Sequence, residues 1–362
     1  MNAEAKILTL DASTKKSLPP EKIDDIPATF VKCYGAIDKF IYYVLSRRFE
    51  TSIAEMWFCY IKLKNKVKRF SRKSDVVFST YQKRYPNMAV KKASKRVVKA
   101  MYLMDPFSIM FLPDVNVENE SESNLKLLEQ YDVIFTTRFI KEAIVNRGYA
   151  PYVKRIVEIS FPMITGFSKV SEKKDSEKIT LLFSGSLYED IRSPKYYLNI
   201  VSRLDSRFRV EFIGPNCTAV KKYNVKTNAE LILSPRVKYE EMIEMMGKAD
   251  ILINIGNSVP VHIPSKVFEY INTGKPFVNF YKLDDCPSLY YTNRYPLCLN
   301  LSEKDEDIDA VAEKFIDFCI RNKNEQLDRE WIKENYKEST PEFIAKQIDD
   351  TLSELCEQKR EK

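Results

Sequence analysis

The residues best suited to chemistry lie in one stretch of the chain, residues 254–282, with the sequence NIGNSVPVHIPSKVFEYINTGKPFVNFYK. Pro264, Ser265 and Lys266 follow a predicted strand and open a predicted helix, and Glu269 comes one turn later. Proline suits the first turn of a helix, and the free amides at that end attract an anion such as a diphosphate. Lys266 would add a full positive charge there. Glu269 is then placed to accept hydrogen bonds from ribose hydroxyls, as an acidic residue does in other nucleotide-binding sheets.

His262, the only histidine of the chain, lies in the same stretch. Two interpretations are open. A lone histidine is usually structural, whereas its closeness in sequence to Lys266 and Glu269 favours contact with a sugar hydroxyl or with the diphosphate.

Glycine is scarce in this chain, and five of its eight glycines fall between Gly185 and Gly274. Gly185 and Gly214 each close a hydrophobic run, in LLFSG and EFIG. The ends of such strands are where a doubly wound sheet places its ligand crevice. Gly274, followed by Pro276, is more simply interpreted as the end of a helix before the next strand.

These residues need strands and helices to position them, and the chain predicts both. Short apolar runs alternate with helical patterns, which is typical of βαβ units with parallel sheets. In the N-terminal half the predicted strands are AKILTL, DVVFST, RVVKAMYL, DVIFTT and VKRIVEIS. In the C-terminal half they are KITLLFSG, FRVEFIG, AELILSP, DILINIG, KPFVNFY and LCLNLS. We therefore predict an α/β fold with two Rossmann-like domains in tandem.

The boundary between the domains is expected where the apolar pattern stops and charged residues take over, in SKVSEKKDSEK. We predict an N-terminal, acceptor-side domain over residues 1–167, a linker over 168–178 and a nucleotide-binding domain over 179–340. Residues 341–362 have apolar positions at helical spacing and predict a C-terminal helix that could pack back on the first domain.

Composition limits the classes of protein to consider. With 362 residues, 44% hydrophobic and 30% charged, the chain suits two folded domains. No run approaches the ~20 uncharged residues of a membrane span, and the start of the chain lacks a signal-peptide pattern, so we expect a cytoplasmic protein. The seven cysteines are scattered without a CxxC pair, which favours reduced thiols.

The stretch around residues 179–280 resembles the donor half of GT-B glycosyltransferases, particularly the family 4 type found in bacterial surface-polysaccharide clusters. In those enzymes a loop and a helix ending in E-(small or aromatic)-x-x-x-G-x-P-(V/F) bind the nucleotide-sugar, and the glutamate holds the ribose. The resemblance thus implies that Glu269 is the ribose residue. FSGSLYEDIRSPKYYL is similar to the family's glycine loop and its diphosphate-binding residues. On that match Gly185 and Ser186 provide close-approach backbone, and Arg192 and Lys195 are phosphate ligands.

The resemblance also implies that the loop LSPRVKYEE recognises the base, with Arg236 and Val237 in it. The alternative is an ordinary turn in which Tyr239 packs inward. The chain departs from the family at Val261, where a second glutamate usually stands eight residues before the ribose glutamate. We interpret this gap as a subtype.

The activity implied is transfer of a sugar from a UDP- or GDP-sugar to a glycan or lipid-linked acceptor, with retention of configuration and without a metal or other cofactor. DEDID, at 305–309, contains a D-x-D spacing that other glycosyltransferases use for metal, but here it precedes a helix where aspartate suits a cap. The main alternative is a GT-B-like protein that does not catalyse but assists another transferase. A nucleotide-sugar 2-epimerase would need several acids and histidines, and no nucleic-acid-binding module supports a nucleic-acid partner.

The N-terminal half carries weaker signals. Asp105 follows a predicted strand, but an aspartate before proline is more often a turn former. The chain begins near the family's second strand, so the acceptor domain is expected to be reduced or to start upstream. Residues 40–70 mix aromatic and basic side chains, as at an anionic membrane surface, although a core-facing helix with a solvated basic end is equally compatible.

Overall fold

The computed structural model describes residues 7–11, 22–23, 26–32, 36–48, 51–80, 84–104, 127–165 and 177–361. Within these residues, strands and helices alternate along most of the chain, and the strands form three sheets. The α/β class predicted from the sequence is therefore confirmed.

The first sheet is small. Its strands are β1 (Ile7–Asp11), β2 (Lys22–Ile23) and β3 (Ile26–Lys32), in the order β1-β3-β2. β1 and β3 are parallel, whereas β2 and β3 are antiparallel. The sequence pattern does not predict β3, because Pro27 at its second position interrupts a strand signal.

The second sheet is the parallel sheet of the N-terminal half. Its strands are β4 (Val76–Thr80), β5 (Val98–Leu103), β6 (Val133–Thr136) and β7 (Ile156–Glu158), in chain order. The helices of this half are α1 (Ala36–Arg48), α2 (Thr51–Phe70), α3 (Arg84–Val90) and α4 (Arg138–Asn146). All four strands of this sheet coincide with runs predicted from the sequence. Those predictions rested on the β-branched and aromatic residues of the runs.

The third sheet has six parallel strands and contains every strand predicted in the C-terminal half. These are β8 (Ile179–Ser184), β9 (Phe208–Ile213), β10 (Glu230–Ser234), β11 (Ile251–Ile255), β12 (Phe277–Tyr281) and β13 (Cys298–Ser302). Their order is β10-β9-β8-β11-β12-β13. The direction of the order reverses between β8 and β11, and such a switch point opens a crevice at the carboxyl ends of the two strands.

Helices cover this sheet, which explains why β8 and β11 are buried along their whole length. The helices are α5 (Lys195–Val201), α6 (Tyr239–Lys248), α7 (Ser265–Thr273), α8 (Pro287–Thr292), α9 (Ile308–Asn322) and α10 (Arg329–Asn335). α7 ends at Gly274, whose φ of 74° is left-handed, and β12 begins three residues later, as the sequence predicts.

The last helix, α11 (Pro341–Arg360), lies against the N-terminal sheet rather than against the sheet it follows in the chain. Its Ile344 is buried in a cluster with Val133 and Phe135 of β6, and further apolar residues of the helix pack there. The division into domains stays a prediction, since most of the linker expected at 168–178 lies outside the described residues, as does Asp105.

No helix among the described residues is both long and apolar enough to cross a membrane. The six cysteines in the described part of the chain form no disulfide, and four of them are buried. Burial raises the pKa of the Cys217 thiol to about 12, so this group stays protonated at neutral pH.

Candidate donor site

The crevice at the switch point is bordered by the loops that follow β8 and β11. Gly185 comes directly after β8, and Gly214 comes directly after the neighbouring β9. Gly214 has a φ of 137°, and a Cβ there would lie only 2.2 Å from the carbonyl oxygen of Gly185. Gly214 is therefore required for the close approach of two loops. A Cβ at Gly185 would lie 3.4 Å from the Phe183 ring and 3.7 Å from the Arg192 guanidinium. The Gly185 N–H donates to the Ile213 carbonyl at 2.9 Å, and its carbonyl accepts from Cys217 Sγ at 3.4 Å.

Arg192 is held by a short hairpin, residues 188–192, which we call the arginine hairpin. Two backbone hydrogen bonds close it: Arg192 N–H donates to the Tyr188 carbonyl at 2.8 Å, and Tyr188 N–H donates to the Arg192 carbonyl at 3.2 Å. The hairpin returns the chain toward Gly185 and thereby brings the Arg192 guanidinium to the end of β8.

The Arg192 side chain carries a charge without a counterion among the described residues. Its Nε atom is buried and has no hydrogen-bond partner there. Burial lowers the pKa of Arg192, and the nearby Tyr270 and Tyr188 hydroxyls only partly oppose this effect. A buried, unpaired cation is unfavourable, so this position favours an anionic ligand.

Ser186 and Lys195, predicted alongside Arg192, differ from it in exposure. Ser186 is half-buried directly beyond Gly185, whereas Lys195 is exposed at the first position of α5. Lys195 forms no ion pair within the described chain, and its backbone N–H donates to Ser193 Oγ at 3.4 Å. Lys195 is thus available to a ligand at the surface but is not preorganised.

The loop between β11 and α7, residues 256–264, is braced from within and tied to the arginine hairpin. Ser258 N–H donates to the Ile191 carbonyl at 3.0 Å, and Ser258 Oγ donates to the Asp190 carbonyl at 3.2 Å. The buried Asn257 places its Nδ2 atom 2.7 Å from Nδ1 of His262. The Asn257 amide nitrogen is a donor, so Nδ1 of His262 is the acceptor in this contact. His262 therefore has a structural partner, in line with the first of its two interpretations.

α7 begins without a side-chain cap. Pro264 occupies the N-cap position, and Ser265 is the exposed first residue of the helix. Val267 N–H donates to the Pro264 carbonyl at 3.1 Å. The amides of Ser265 and Lys266, which precede it, remain for a ligand or for water. This start retains the anion-attracting character expected from the sequence.

Lys266 and Glu269 form an ion pair one helical turn apart. Lys266 Nζ lies 2.6 Å from Glu269 Oε2, and the two side chains are only 17% and 12% exposed. Nζ also lies 3.0 Å from the Met242 sulfur. Lys266 is therefore engaged with the predicted ribose ligand, whereas the sequence suggests a cation facing the diphosphate.

Tyr270 connects the parts of the site, a role that the sequence pattern does not reveal. Its buried hydroxyl donates to the Ile253 carbonyl of β11 at 3.2 Å and lies 3.3 Å from Ser184 Oγ of β8. Burial raises the pKa of Tyr270 to about 12, and of the nearby charges Glu269 acts in the same direction and Arg192 against it. Tyr270 thus joins both switch-point strands to the helix that carries Glu269. From the sequence, this role of Tyr270 could be inferred only from the need of a buried tyrosine hydroxyl for a hydrogen-bond partner.

The loop predicted to recognise the base lies between β10 and α6. Arg236 is exposed, and Val237 is half-buried against the cluster that contains Val267 and Tyr270. Tyr239 is 61% exposed, so the alternative in which it packs inward is wrong. Because Val237 packs against the cluster of Val267, and Met242 of α6 contacts Lys266, this loop lies next to α7.

Val261 occupies the position where the resembled family has a second glutamate. It packs against a cluster of the N-terminal half that includes Ile140 and Ile144 of α4.

The acidic run at 305–309 contains the N-cap of α9, where Asp307 accepts from Ala310 N–H at 3.0 Å. Among the described residues, no group of acids, histidines and cysteines is arranged to hold a metal.

Known proteins resemble this chain in structure rather than in sequence. No family model and no curated protein sequence matches the chain. A structure of trehalose-6-phosphate synthase is similar with a TM-score of 0.65 and 11% identity, covering 96% of this chain and 93% of that one. HepE of Anabaena in complex with UDP is similar with a TM-score of 0.61 and 13% identity, covering 97% and 100%. The lipopolysaccharide outer core galactosyltransferase WaaB is similar with a TM-score of 0.55 and 12% identity, covering 91% and 85%.

At these identities the likeness shows the fold alone. The chain has the expected GT-B architecture, two Rossmann-like domains facing each other across a cleft with a helical C-terminal end. Membership of family 4 stays a prediction.

Proposed function

We propose that the protein is a glycosyltransferase that moves a sugar from a UDP- or GDP-sugar to a glycan or lipid-linked acceptor. The observation that carries this proposal is Arg192, a half-buried cation whose buried Nε atom has no partner within the described chain, at the end of switch-point strand β8. The carboxylate of Glu269 lies on α7, the helix that follows the other switch-point strand. A cation without a counterion fits a diphosphate, and a preorganised carboxylate fits ribose hydroxyls. The likeness to HepE bound to UDP supports a nucleotide in this crevice.

Catalysis in this proposal is electrostatic. Arg192, Lys195 and the first amides of α7 stabilise the negative charge that builds on the leaving diphosphate, so the reaction needs no metal. Gly185 and Ser186 let the backbone approach the phosphates, while Arg236 and Val237 lie where the base would bind. The similar trehalose-6-phosphate synthase transfers a glycosyl group with retention, and we propose the same stereochemistry here.

A panel of UDP-, GDP-, CMP- and dTDP-sugars, tested by thermal shift and by hydrolysis, identifies the donor. With that donor, Glu269→Ala is expected to lose about 1.5 to 3 kcal/mol of binding free energy, since a charge-assisted hydrogen bond disappears. Glu313→Ala, an exposed change on α9, is the matched control and should bind normally. Unchanged affinity in a folded Glu269→Ala variant rejects the ribose assignment, and activity that EDTA abolishes and manganese restores rejects the metal-free mechanism.

A non-catalytic partner of another transferase is the second candidate, because Val261 replaces a carboxylate and is occupied in packing against the N-terminal half. Such a protein would bind a nucleotide-sugar without turning it over. Binding with no transfer and no hydrolysis, across the full donor panel, would favour this candidate.

We also propose that the enzyme works on the cytoplasmic side of the membrane, on surface polysaccharides or glycoconjugates. Phe40 and Tyr43 of α1 and Trp57 of α2 are exposed, and the C-terminal end of α2 is rich in lysine. Another side of α2 packs against the protein, since Leu63 and Val67 are buried in a core cluster. Helices that expose aromatic and basic groups together suit an anionic surface.

Sedimentation with anionic liposomes tests this contact. Binding is expected at low salt and should weaken at high salt, because each Lys or Arg near the surface contributes only about 1 kcal/mol and is screened. Protein that stays in the supernatant at low salt indicates a soluble acceptor instead.

A further inference from the structure

A second concave site lies beside the arginine hairpin. It is a pocket of about 270 Å³ between the loop after β8 and the helical turn Cys217–Tyr223 that follows β9. Its lining includes none of the residues that we assign to the nucleotide. This volume lies just below the roughly 300 to 1,000 Å³ of pockets for drug-sized ligands, so the site suits a smaller molecule.

The pocket combines aromatic faces with hydrogen-bonding groups. Tyr188, 52% exposed, and Tyr223 contribute rings, and Leu187 and Val220 contribute buried apolar surface. An exposed tyrosine beside a concave apolar surface offers a large contact area while its hydroxyl stays in water.

The polar groups of the pocket are held in place by contacts across it. Lys222 forms an ion pair with Glu189, and its ammonium lies 5.1 Å from the centre of the Tyr223 ring. Asn216 donates from Nδ2 to the Leu187 carbonyl at 3.1 Å, which joins the two walls. Asp190 adds a second, exposed carboxylate.

This chemistry selects among ligand classes. Two carboxylates against one ammonium disfavour an anion such as phosphate, because like charges repel. A purely apolar ligand would exclude the water that solvates the Asp190 carboxylate and the exposed Lys222–Glu189 pair, which is unfavourable. A neutral sugar ring satisfies both conditions, since its C–H face packs on an aromatic ring and its hydroxyls bond with carboxylates and amides.

We propose that this pocket binds a neutral sugar unit of the acceptor glycan, an inference that rests on the proposed glycosyltransferase function. The position is suitable, because the arginine hairpin forms one wall of the pocket and carries Arg192 at its other end. Through Ser258 the same hairpin is tied to the loop that precedes α7. A glycan anchored here lies next to the donor site without occupying it.

Saturation-transfer NMR with glucose, galactose, N-acetylglucosamine and their disaccharides, recorded on the full chain without a nucleotide, tests the pocket. We expect at least one of these sugars to bind, and Tyr188→Ala to weaken its binding at least about five-fold through loss of the ring contact. Tyr152→Ala removes a tyrosine of similar exposure, 40%, from the N-terminal half and is the matched control. Thermal unfolding verifies that each variant is folded, and Asp190→Asn provides a second change in the pocket with the same expected direction.

The donor-site variant Glu269→Ala separates this inference from the proposed function. It should keep sugar binding while losing nucleotide binding. If no sugar binds, or if Tyr188→Ala and Asp190→Asn bind as tightly as the unmodified protein, the inference is overturned even where nucleotide binding is intact. If sugar binding depends on Tyr188 but no nucleotide-sugar binds, the pocket stands and the donor-site assignment fails.

Discussion

Glu269 owes its position to a neighbour on its own helix. An i,i+3 ion pair with Lys266, with both side chains largely buried, restrains the position of the carboxylate. If Glu269 binds the ribose as proposed, Lys266 would act on a bound nucleotide through Glu269, in addition to any attraction that it exerts on the phosphates. The effect at the ribose and the attraction to the phosphates can be measured separately, because only the attraction requires a phosphate.

Replacing Lys266 with methionine is expected to lower the affinity for the nucleoside as well as for the nucleoside diphosphate, by about 1 to 3 kcal/mol in each case, since the ribose ligand loses the group that orients it. Calorimetric titration with both ligands measures the two losses. Lys248→Met removes an exposed lysine paired with Glu244 on α6 and should change neither. A loss confined to the diphosphate contradicts the positioning role and supports direct contact of Lys266 with phosphate.

At the scale of elements, a row of asparagines joins the three strands on one side of the switch point. Asn254 of β11, Asn279 of β12 and Asn300 of β13 are in register. Asn254 Nδ2 donates to Asn279 Oδ1 at 2.7 Å, and Asn279 Nδ2 donates to Asn300 Oδ1 at 2.8 Å. A one-residue slip of any strand would break this row, so it specifies the register that places Gly256 and its loop at the crevice.

Asn279→Ala is expected to destabilise the protein by at least about 2 kcal/mol, because the buried amide of Asn254 loses its acceptor. Urea unfolding measures the change. Asn293→Ala is the control, since Asn293 accepts from Asn300 at the exposed end of the same row, where water can replace it. Equal stabilities for the two variants would mean that the row does not stabilise the sheet.

At the scale of the molecule, α11 connects the C-terminal end of the chain to the N-terminal sheet. Lys359 Nζ lies 2.6 Å from Asp132 Oδ2 and donates to the Val97 carbonyl at 2.7 Å. Burial alone would raise the pKa of Asp132, but hydrogen bonds from Lys359, the Lys99 N–H and Lys154 outweigh it, and the pKa lies below its ordinary value. The ionised carboxylate therefore stabilises the folded state above the unfolded pKa, near 4, and this contribution is lost as the pH falls through the folded pKa.

Lys359→Met is expected to lower the free energy of unfolding by about 1.5 to 3 kcal/mol at pH 7, and the deficit should shrink as Asp132 becomes protonated below about pH 4. Urea unfolding across pH 2.5 to 7 follows both effects. Arg360→Met, on the next residue of the helix, removes an exposed pair with Asp75, in which the side chains are 66% and 73% exposed. It should cost little at any pH. A deficit that does not change with pH would show that Lys359 acts through packing and its hydrogen bond to the Val97 carbonyl rather than through Asp132.

The carboxyl ends of the strands explain why so much of the site was predictable. Parallel strands buried on both faces are uninterrupted apolar runs, and the residues that follow them must lie at one edge of the sheet. Gly185 and Glu269 could therefore be assigned to one crevice from local patterns. Side-chain partners were not predictable in this way: the Lys266 pairing, the Asn257 contact of His262 and the exposure of Tyr239 depend on rotamers and on neighbours distant in the sequence.

By itself, the sequence determined the α/β class, the strands of the two larger sheets and the segments that border the switch-point crevice, because periodicity and strand-end residues are local properties of the chain. Tertiary structure decided what those patterns leave open. The return of the arginine hairpin toward Gly185 brings a buried guanidinium to the crevice without a counterion in the described chain, and Tyr270 fixes α7 to both switch-point strands. These arrangements arise from contacts between residues up to 86 positions apart, which local spacing does not encode.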